Sequence, residues 1–340
     1  MAEKKIGNQT VRFEKKPFVV GGAAVVGRKE GEGPLCRWFD LCLKDDRYGE
    51  KTWEKAESKM LKEAMQLAMK NAKRDKSDID LVLSGDLLNQ IMSSSFMARD
   101  LQLPFLGIYG ACSTMTESLL LGAMLTDGGF AHNVVVGASS HFCTAERQFR
   151  MPVEHGNQRP PSAQWTATAA GAMVLSEQGG CIRVDCGTIG KVIDAGVKDA
   201  NQMGSAMAPA AVDTILNHFA DTGRSFQDYD LVLTGDLGYI GKEIAMDLLI
   251  DAGMDSQLVR ERYDDCGTML YDRMKQDVHG GGSGCGCSAA VFSGHILTRL
   301  MRGELKRVLL LSTGAMLSTI SPFQGESIPG IAHGVVLEVC

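Results

Sequence analysis

No stretch of about 18 consecutive apolar residues occurs in this sequence, so no segment is expected to span a bilayer. Met1 to Lys16 is charged and polar, without the apolar run and small-residue cleavage site of a secretory signal. Aromatic residues make up only 6% of the chain, no basic stripe runs between them, and the net charge is −6. The electrostatic footprint of a nucleic-acid binder is therefore missing. Low-complexity tracts are absent as well. The ten cysteines follow no regular spacing, and 340 residues is too long a chain to need stapling, so free thiols and a reducing compartment are expected.

The chain does contain an internal repeat. The segment Asp78-Ile-Asp-Leu-Val-Leu-Ser-Gly-Asp-Leu87 returns 150 residues later as Asp228-Tyr-Asp-Leu-Val-Leu-Thr-Gly-Asp-Leu237. Ala111-Cys112-Ser113 and Gly286-Cys287-Ser288 are 175 residues apart, and so are Val134-Val-Val136 and Leu309-Leu-Leu311. One duplication, with about 25 extra residues in the second copy, accounts for all three matches. The expected halves are 1–179 and 180–340, joined at Gly179-Gly180, with the insertion at about 238–280.

Each half reads as α/β. The runs at Leu81, Val134, Leu231 and Val308 are short and apolar throughout, as in strands covered by helices on both faces. Glu54 to Arg74 carries Met60, Leu61, Ala64, Met65 and Ala68 at helical steps, with Thr52 placed to cap it.

Cys112 follows Ile108-Tyr-Gly-Ala and opens the small, apolar segment Ser113 to Leu125, which predicts a buried helix. A thiol at a helix N-terminus faces unpaired N–H groups that favour its thiolate, so a lowered pKa is expected there. The plainer alternative is a cysteine that packs as a small hydrophobe.

Together with the Asp-Ile-Asp-Leu strand, Ala167-Thr-Ala-Ala-Gly-Ala-Met-Val-Leu175 and a glycine-rich turn in the second half, this cysteine resembles the thiolase and ketoacyl-synthase superfamily from about Phe18 onward. The resemblance implies a thiolase-like fold with a duplicated five-layer αβαβα architecture, two mixed sheets, a cleft between the halves, and a homodimer built on the first-half sheet. It also implies an acyl-accepting cysteine helped by second-half partners. Those partners differ here. In His279-Gly-Gly-Gly-Ser-Gly-Cys-Gly-Cys-Ser288 the position of the thiolase histidine is taken by Cys287. The histidine or asparagine expected after the Leu231 strand falls in Gly235-Asp236-Leu237-Gly238, and Ser327-Ile-Pro-Gly330 occupies the place of the terminal cysteine. A thiol without base and proton donor has no route through that cycle.

A closer resemblance rests on Gly137-Ala-Ser-Ser-His-Phe-Cys-Thr-Ala-Glu-Arg-Gln-Phe-Arg-Met-Pro152, Gln158-Arg-Pro-Pro-Ser-Ala-Gln-Trp165 and Trp53-Glu-Lys-Ala-Glu57. These resemble the stage V sporulation AD family of spore-forming bacteria over the full chain. The resemblance implies a catalytically degenerate, cofactor-free protein that binds dipicolinic acid, free or as its calcium chelate. It further implies a peripheral subunit on the cytoplasmic face of the spore inner membrane, beside the integral membrane subunits of the same complex.

An anionic ligand fits the residues of this stretch. Arg147, Arg150 and Arg159, with His141 and His155, follow the Val134 strand, at whose C-terminal end ligands bind in open α/β sheets. The expected ligand residues are Cys112, Ser113, His141, Arg147, Arg150, Arg159 and Gln164, with Phe142, Phe149 and Trp165 as an aromatic slot. The alternative for each arginine is a solvated or interface position. Two further motifs carry little weight. Gly235 to Lys242 lacks the first glycine and the Ser/Thr of a phosphate loop, and Cys266, His279, Cys285 and Cys287 lack the paired spacing of a zinc site, so no metal is expected. Two rival readings stay open: an acyltransferase using Cys112 with His141 or His279 as base, and an architectural subunit with a vestigial cleft.

Overall fold

The apolar runs that mark the repeat become the interior strands of the sheet. The computed structural model describes residues 2–15, 17–149 and 159–340. Arg150 and His155, both named above, lie outside the described residues.

The first half runs β1 (Lys5–Ile6), β2 (Thr10–Arg12), β3 (Phe18–Val26), α1 (Arg28–Gly31), β4 (Leu41–Cys42), α2 (Trp53–Asn71), β5 (Leu81–Gly85), α3 (Met92–Leu101), β6 (Phe105–Gly107), α4 (Thr114–Gly128), β7 (Asn133–Ser140), α5 (Phe142–Phe149), β8 (Trp165–Thr166) and β9 (Ala169–Ser176). The second runs β10 (Ile182–Thr188), α6 (Met203–Thr222), β11 (Leu231–Thr234), α7 (Gly238–Asp251), α8 (Ser256–Arg262), β12 (Tyr263–Asp265), α9 (Cys266–Met269), β13 (Gly282–Ser283), α10 (Cys285–Ala290), α11 (Leu297–Met301), β14 (Arg307–Ala315) and β15 (Gly330–Val339).

Strand order repeats across the chain: β3-β9-β7-β5-β6 on one side, β10-β15-β14-β11-β12 on the other. In each set the three strands farthest from the junction are parallel, and the two nearest it are antiparallel. The resemblance implies two mixed sheets. In the structure they are joined, because β3 and β10 pair antiparallel at Val19↔Ile182 and Phe18↔Arg183.

The helices form three layers around the two sets. The α2 helix starts where the sequence places it, with the Thr52 hydroxyl accepting from the Lys55 N–H at 3.4 Å, and it buries its apolar side against β3, β9 and β7. On the far side α6 packs against β14 and β15. Between the sheets lie α4 and α10: α4 touches β5, β7 and β9 as well as β14 and β15, so most of its surface is buried. That position explains its largely small and apolar sequence. The residues that lengthen the second half fall mainly between β12 and β13, in α9 and the loop that carries Asp277 and His279. Among the described residues no helix is long and apolar enough to cross a membrane.

Candidate functional site

A narrow cleft, with a cavity volume of about 50 Å³ inside about 570 Å³ of space that includes open solvent, lies at the C-terminal ends of β5 and β14, between the two halves. Its apolar walls come from Leu87, Ala145, Phe149, Met203 and Leu317; Cys112, Tyr109, Glu146, Thr166 and Ser283 supply the polar groups. Cys112 is brought there by an elbow. Ala111 adopts a left-handed φ of 51°, a conformation that costs a residue with a Cβ. The Ser113 hydroxyl donates to the Gly110 carbonyl at 2.7 Å, and the Thr114 hydroxyl to that of Ala111 at 2.7 Å. These bonds fix the turn into α4.

The thiol, only 7% exposed, does not have the lowered pKa expected of its helix terminus. Burial pushes it well above the ordinary value, and the neighbouring Asp236 and Cys285 push it further, while the Gly284 N–H favours the thiolate. Desolvation and a facing carboxylate outweigh the helix end.

Asp236 carries a role that the sequence alone does not announce. It occupies the stretch after β11 where a histidine or asparagine was expected, and it is fully buried. Its carboxylate accepts from the Thr313 hydroxyl at 2.6 Å, the Ser283 hydroxyl at 3.2 Å and the Gly284 N–H at 2.9 Å. Gly284 presents that N–H from a φ of 94°, open to glycine alone. A signal does exist in the sequence: Asp236 is the repeat partner of Asp86, and its recurrence conceals a role held by only one copy. Cys285, at the start of α10, points its thiol at the Ser139 carbonyl 2.9 Å away.

The predicted ligand residues are placed as follows. Cys112 lines the cleft. Ser113 is fully buried and bonded within the elbow. The buried His141 ring lies 2.9 Å from the Asp46 carbonyl through Nε2 and accepts from the Cys143 N–H at Nδ1, 3.1 Å. Both ring nitrogens are thereby engaged, and burial lowers its pKa. Arg147 pairs with Glu54. Arg159 pairs with Asp277 at 2.6 Å and lies over the Trp165 ring. The Gln164 amide donates to the carbonyls of Asp236 and Gly282, at 2.7 and 2.8 Å. Of the aromatic slot, Phe149 lines the cleft, whereas Phe142 and Trp165 stack on each other with centroids 3.6 Å apart. His279, the other candidate base, is held by the Pro160 carbonyl and Asp277. Among the described residues no histidine lines the cleft.

The two weaker motifs find structural explanations. At the start of α7 the N–H groups of Leu237 and Gly238 already bind the Asp265 carboxylate, each at 2.9 Å, which occupies the donors a phosphate would need. Among the described residues no group of three or more His, Cys, Asp or Glu is placed to hold a metal ion.

Buried acids give the fold a pH dependence. Burial raises Glu30 to about 7, Glu57 to about 8 with Asp86 adding to it, and Asp265 to about 7. An acid raised by folding keeps its proton in the folded chain after the unfolded chain has lost it, so stability falls as pH climbs toward the folded pKa. Buried His218, His295 and His333, lowered to about 3, 4 and 4, act in the opposite direction, and their effect fades above about 6.5, where the unfolded histidines also lose their protons. Between about pH 6.5 and 8 the acids outweigh the fading histidine contribution. The melting temperature is expected to decline across that window, and Glu30→Gln, which can still accept from Tyr271 and Thr168, should reduce the decline. A flat or rising profile in the parent protein would contradict these assignments.

Comparison with known proteins agrees with this architecture. The chain matches the sequence profile of stage V sporulation protein AD over residues 7–338. Stage V sporulation protein AD of Bacillus subtilis (strain 168) is 46% identical over 335 residues, covering 98% of each chain. Among solved structures, 3-oxoacyl-[acyl-carrier-protein] synthase III from Aquifex aeolicus VF5 superposes with a TM-score of 0.59 at 12% identity, over 95% of this chain and 99% of that one. A point variant of Xanthomonas campestris OleA gives a TM-score of 0.62 at 13% identity, over 96% and 99%. Identity this low speaks for fold alone, and the fold is thiolase-like.

Proposed function

The chain belongs to the stage V sporulation protein AD family, and from that membership and its cleft we propose that it binds dipicolinic acid without turning it over. In this reading it is the non-membrane subunit of a sporulation complex that moves the acid into the forespore and releases it at germination. It works at the cytoplasmic face of the spore inner membrane, beside integral membrane subunits.

The observation that carries the proposal is the pairing of a narrow, largely apolar cleft with a thiol held in its protonated form. Phe149 offers an aromatic wall for a planar ring, and Tyr109, Thr166 and Cys112 offer neutral donors for its carboxylates. The Tyr109 hydroxyl, like any tyrosine's, stays a donor at neutral pH. Beside Cys112 stand the Asp236 carboxylate and the Cys285 thiol, in place of the histidine of a thiolase-type acyl-transfer cycle. A dianion entering a largely apolar cleft needs a counter-charge, which a calcium ion carried with the ligand would supply.

Calorimetric titration with dipicolinate, and with its isostere lacking the ring nitrogen, each with and without calcium, tests this. Saturable, ring-selective binding is expected. Phe149→Ala should weaken it about tenfold or more, and Arg147→Ala and Arg159→Ala, whose guanidinium groups have carboxylate partners, should change it by less than about threefold. Absence of saturable binding would leave the architectural reading standing. An acyl adduct on Cys112 in intact-mass analysis after incubation with acyl-CoA would restore the acyltransferase.

A further inference from the structure

The outer face of α2 carries charge that the cleft does not use. Lys55, Lys59, Lys62, Gln66 and Lys70 follow one another at steps of three and four, so they share the helix side opposite the buried Met60, Leu61, Ala64 and Met65. Lys51 to Lys76 holds eight lysines and arginines against four carboxylates, in a chain whose net charge is −6. Two of those four carboxylates do not reach the surface potential, since Glu57 is buried and Glu54 pairs with Arg147. Among the described residues no ion pair involves Lys55, Lys62 or Lys70.

The stripe borders a concavity. Between α2 and α3 a groove with about 900 Å³ of space open to solvent is lined by Lys55, Lys59 and Lys62 on one side and Phe96 and Arg99 on the other. Its carboxylates are already engaged: Glu50 with Lys59 at 3.4 Å and Asp100 with Arg99 at 2.9 Å. Arg99 also lies over the exposed Phe96 ring, 4.8 Å from its centroid.

We propose that this face docks the protein on an anionic lipid surface, with lipid phosphates beside Lys55, Lys59, Lys62 and Arg99 and Phe96 at the headgroup level. A helix of 19 residues presents a straight edge about 28 Å long, suited to a flat sheet of charge. The residue type favours lipid over a protein partner, because protein interfaces are depleted in lysine, whereas long lysine stems lie along a surface and carry their ammonium groups to phosphates. This face is separate from the cleft and would dock whether or not dipicolinate binds there.

The test is sedimentation of the full chain with vesicles of phosphatidylcholine alone and of phosphatidylcholine with phosphatidylglycerol, at low and high salt. Binding is expected only to the second kind, and is expected to be lost at high salt. A variant combining Lys55→Gln, Lys62→Gln and Lys70→Gln should partition about a hundredfold less well. Its melting temperature and dipicolinate titration should match the parent's, which separates failure of this surface from failure of the cleft or the fold. Equal partitioning of parent and variant, equal binding to both kinds of vesicle, or no binding to either overturns the proposal. So does displacement by inorganic phosphate beyond that caused by chloride at the same ionic strength, which would assign the groove to a free phosphate. Binding of polyglutamate by a protein that ignores the acidic vesicles would assign it to an acidic polypeptide and overturns the proposal too.

Discussion

Asp236→Ala is expected to destabilise the fold by about 3 kcal/mol, read from the denaturant midpoint at unchanged slope. The Thr313 and Ser283 hydroxyls can rotate toward other acceptors, but the Gly284 N–H is fixed by the backbone and would be left buried without a partner. A cavity beside Cys112 adds to the loss. Asp236→Asn keeps the volume and one acceptor, so it should cost less, about 1 kcal/mol. It also removes the charge that helps to hold the Cys112 thiol up, so alkylation of Cys112 by iodoacetamide should be faster than in the parent at the same pH. A Cys112 no more reactive in the asparagine variant would show that burial alone governs the thiol and that Asp236 has no part in keeping it protonated.

Gly171→Ala should be comparably damaging, although it adds a single methyl group. A Cβ at this position in β9 would sit 2.1 Å from the Ala289 oxygen and 2.2 Å from its carbonyl carbon. Both are backbone atoms of α10, so no side chain can swing away, and the helix itself must move. The expected cost is about 3 kcal/mol, at the upper end for overpacking. The displacement would also carry Gly284 and Cys285 away from Cys112, so dipicolinate binding should weaken in whatever protein still folds. Gly128→Ala is the control: its Cβ meets only the Phe130 ring, which is 81% exposed, and a neutral or slightly stabilising change is expected. If Gly171→Ala melts like the parent, the close seating of α10 on β9 is wrong.

Much of the architecture was legible because it rests on local pattern. The Leu81 and Leu231 runs became β5 and β11, and the Val134 and Leu309 runs became β7 and β14. Thr52 caps α2, and Cys112 stands at a strand-to-helix elbow. The parts that were not legible depend on partners distant in sequence. Nothing near Arg147 or Arg159 announces Glu54 or Asp277, so two arginines read as ligand residues are engaged in ion pairs. The partner of His141 is a backbone carbonyl 95 residues earlier, which local pattern does not reveal either. The thiol of Cys112 was misjudged for a related reason: a helix terminus can be read from sequence, but the buried carboxylate that opposes it arrives from the other half of the molecule.

The ladder between β3 and β10 has a mechanical consequence. Two lobes laced edge to edge cannot swing apart as jaws without tearing backbone hydrogen bonds that water would not fully replace. A ligand bound above Cys112, as proposed, would therefore pass a doorway in a stiff wall, its passage set by the few side chains at the sill, among them the half-exposed Tyr109, with Phe149 and Leu317.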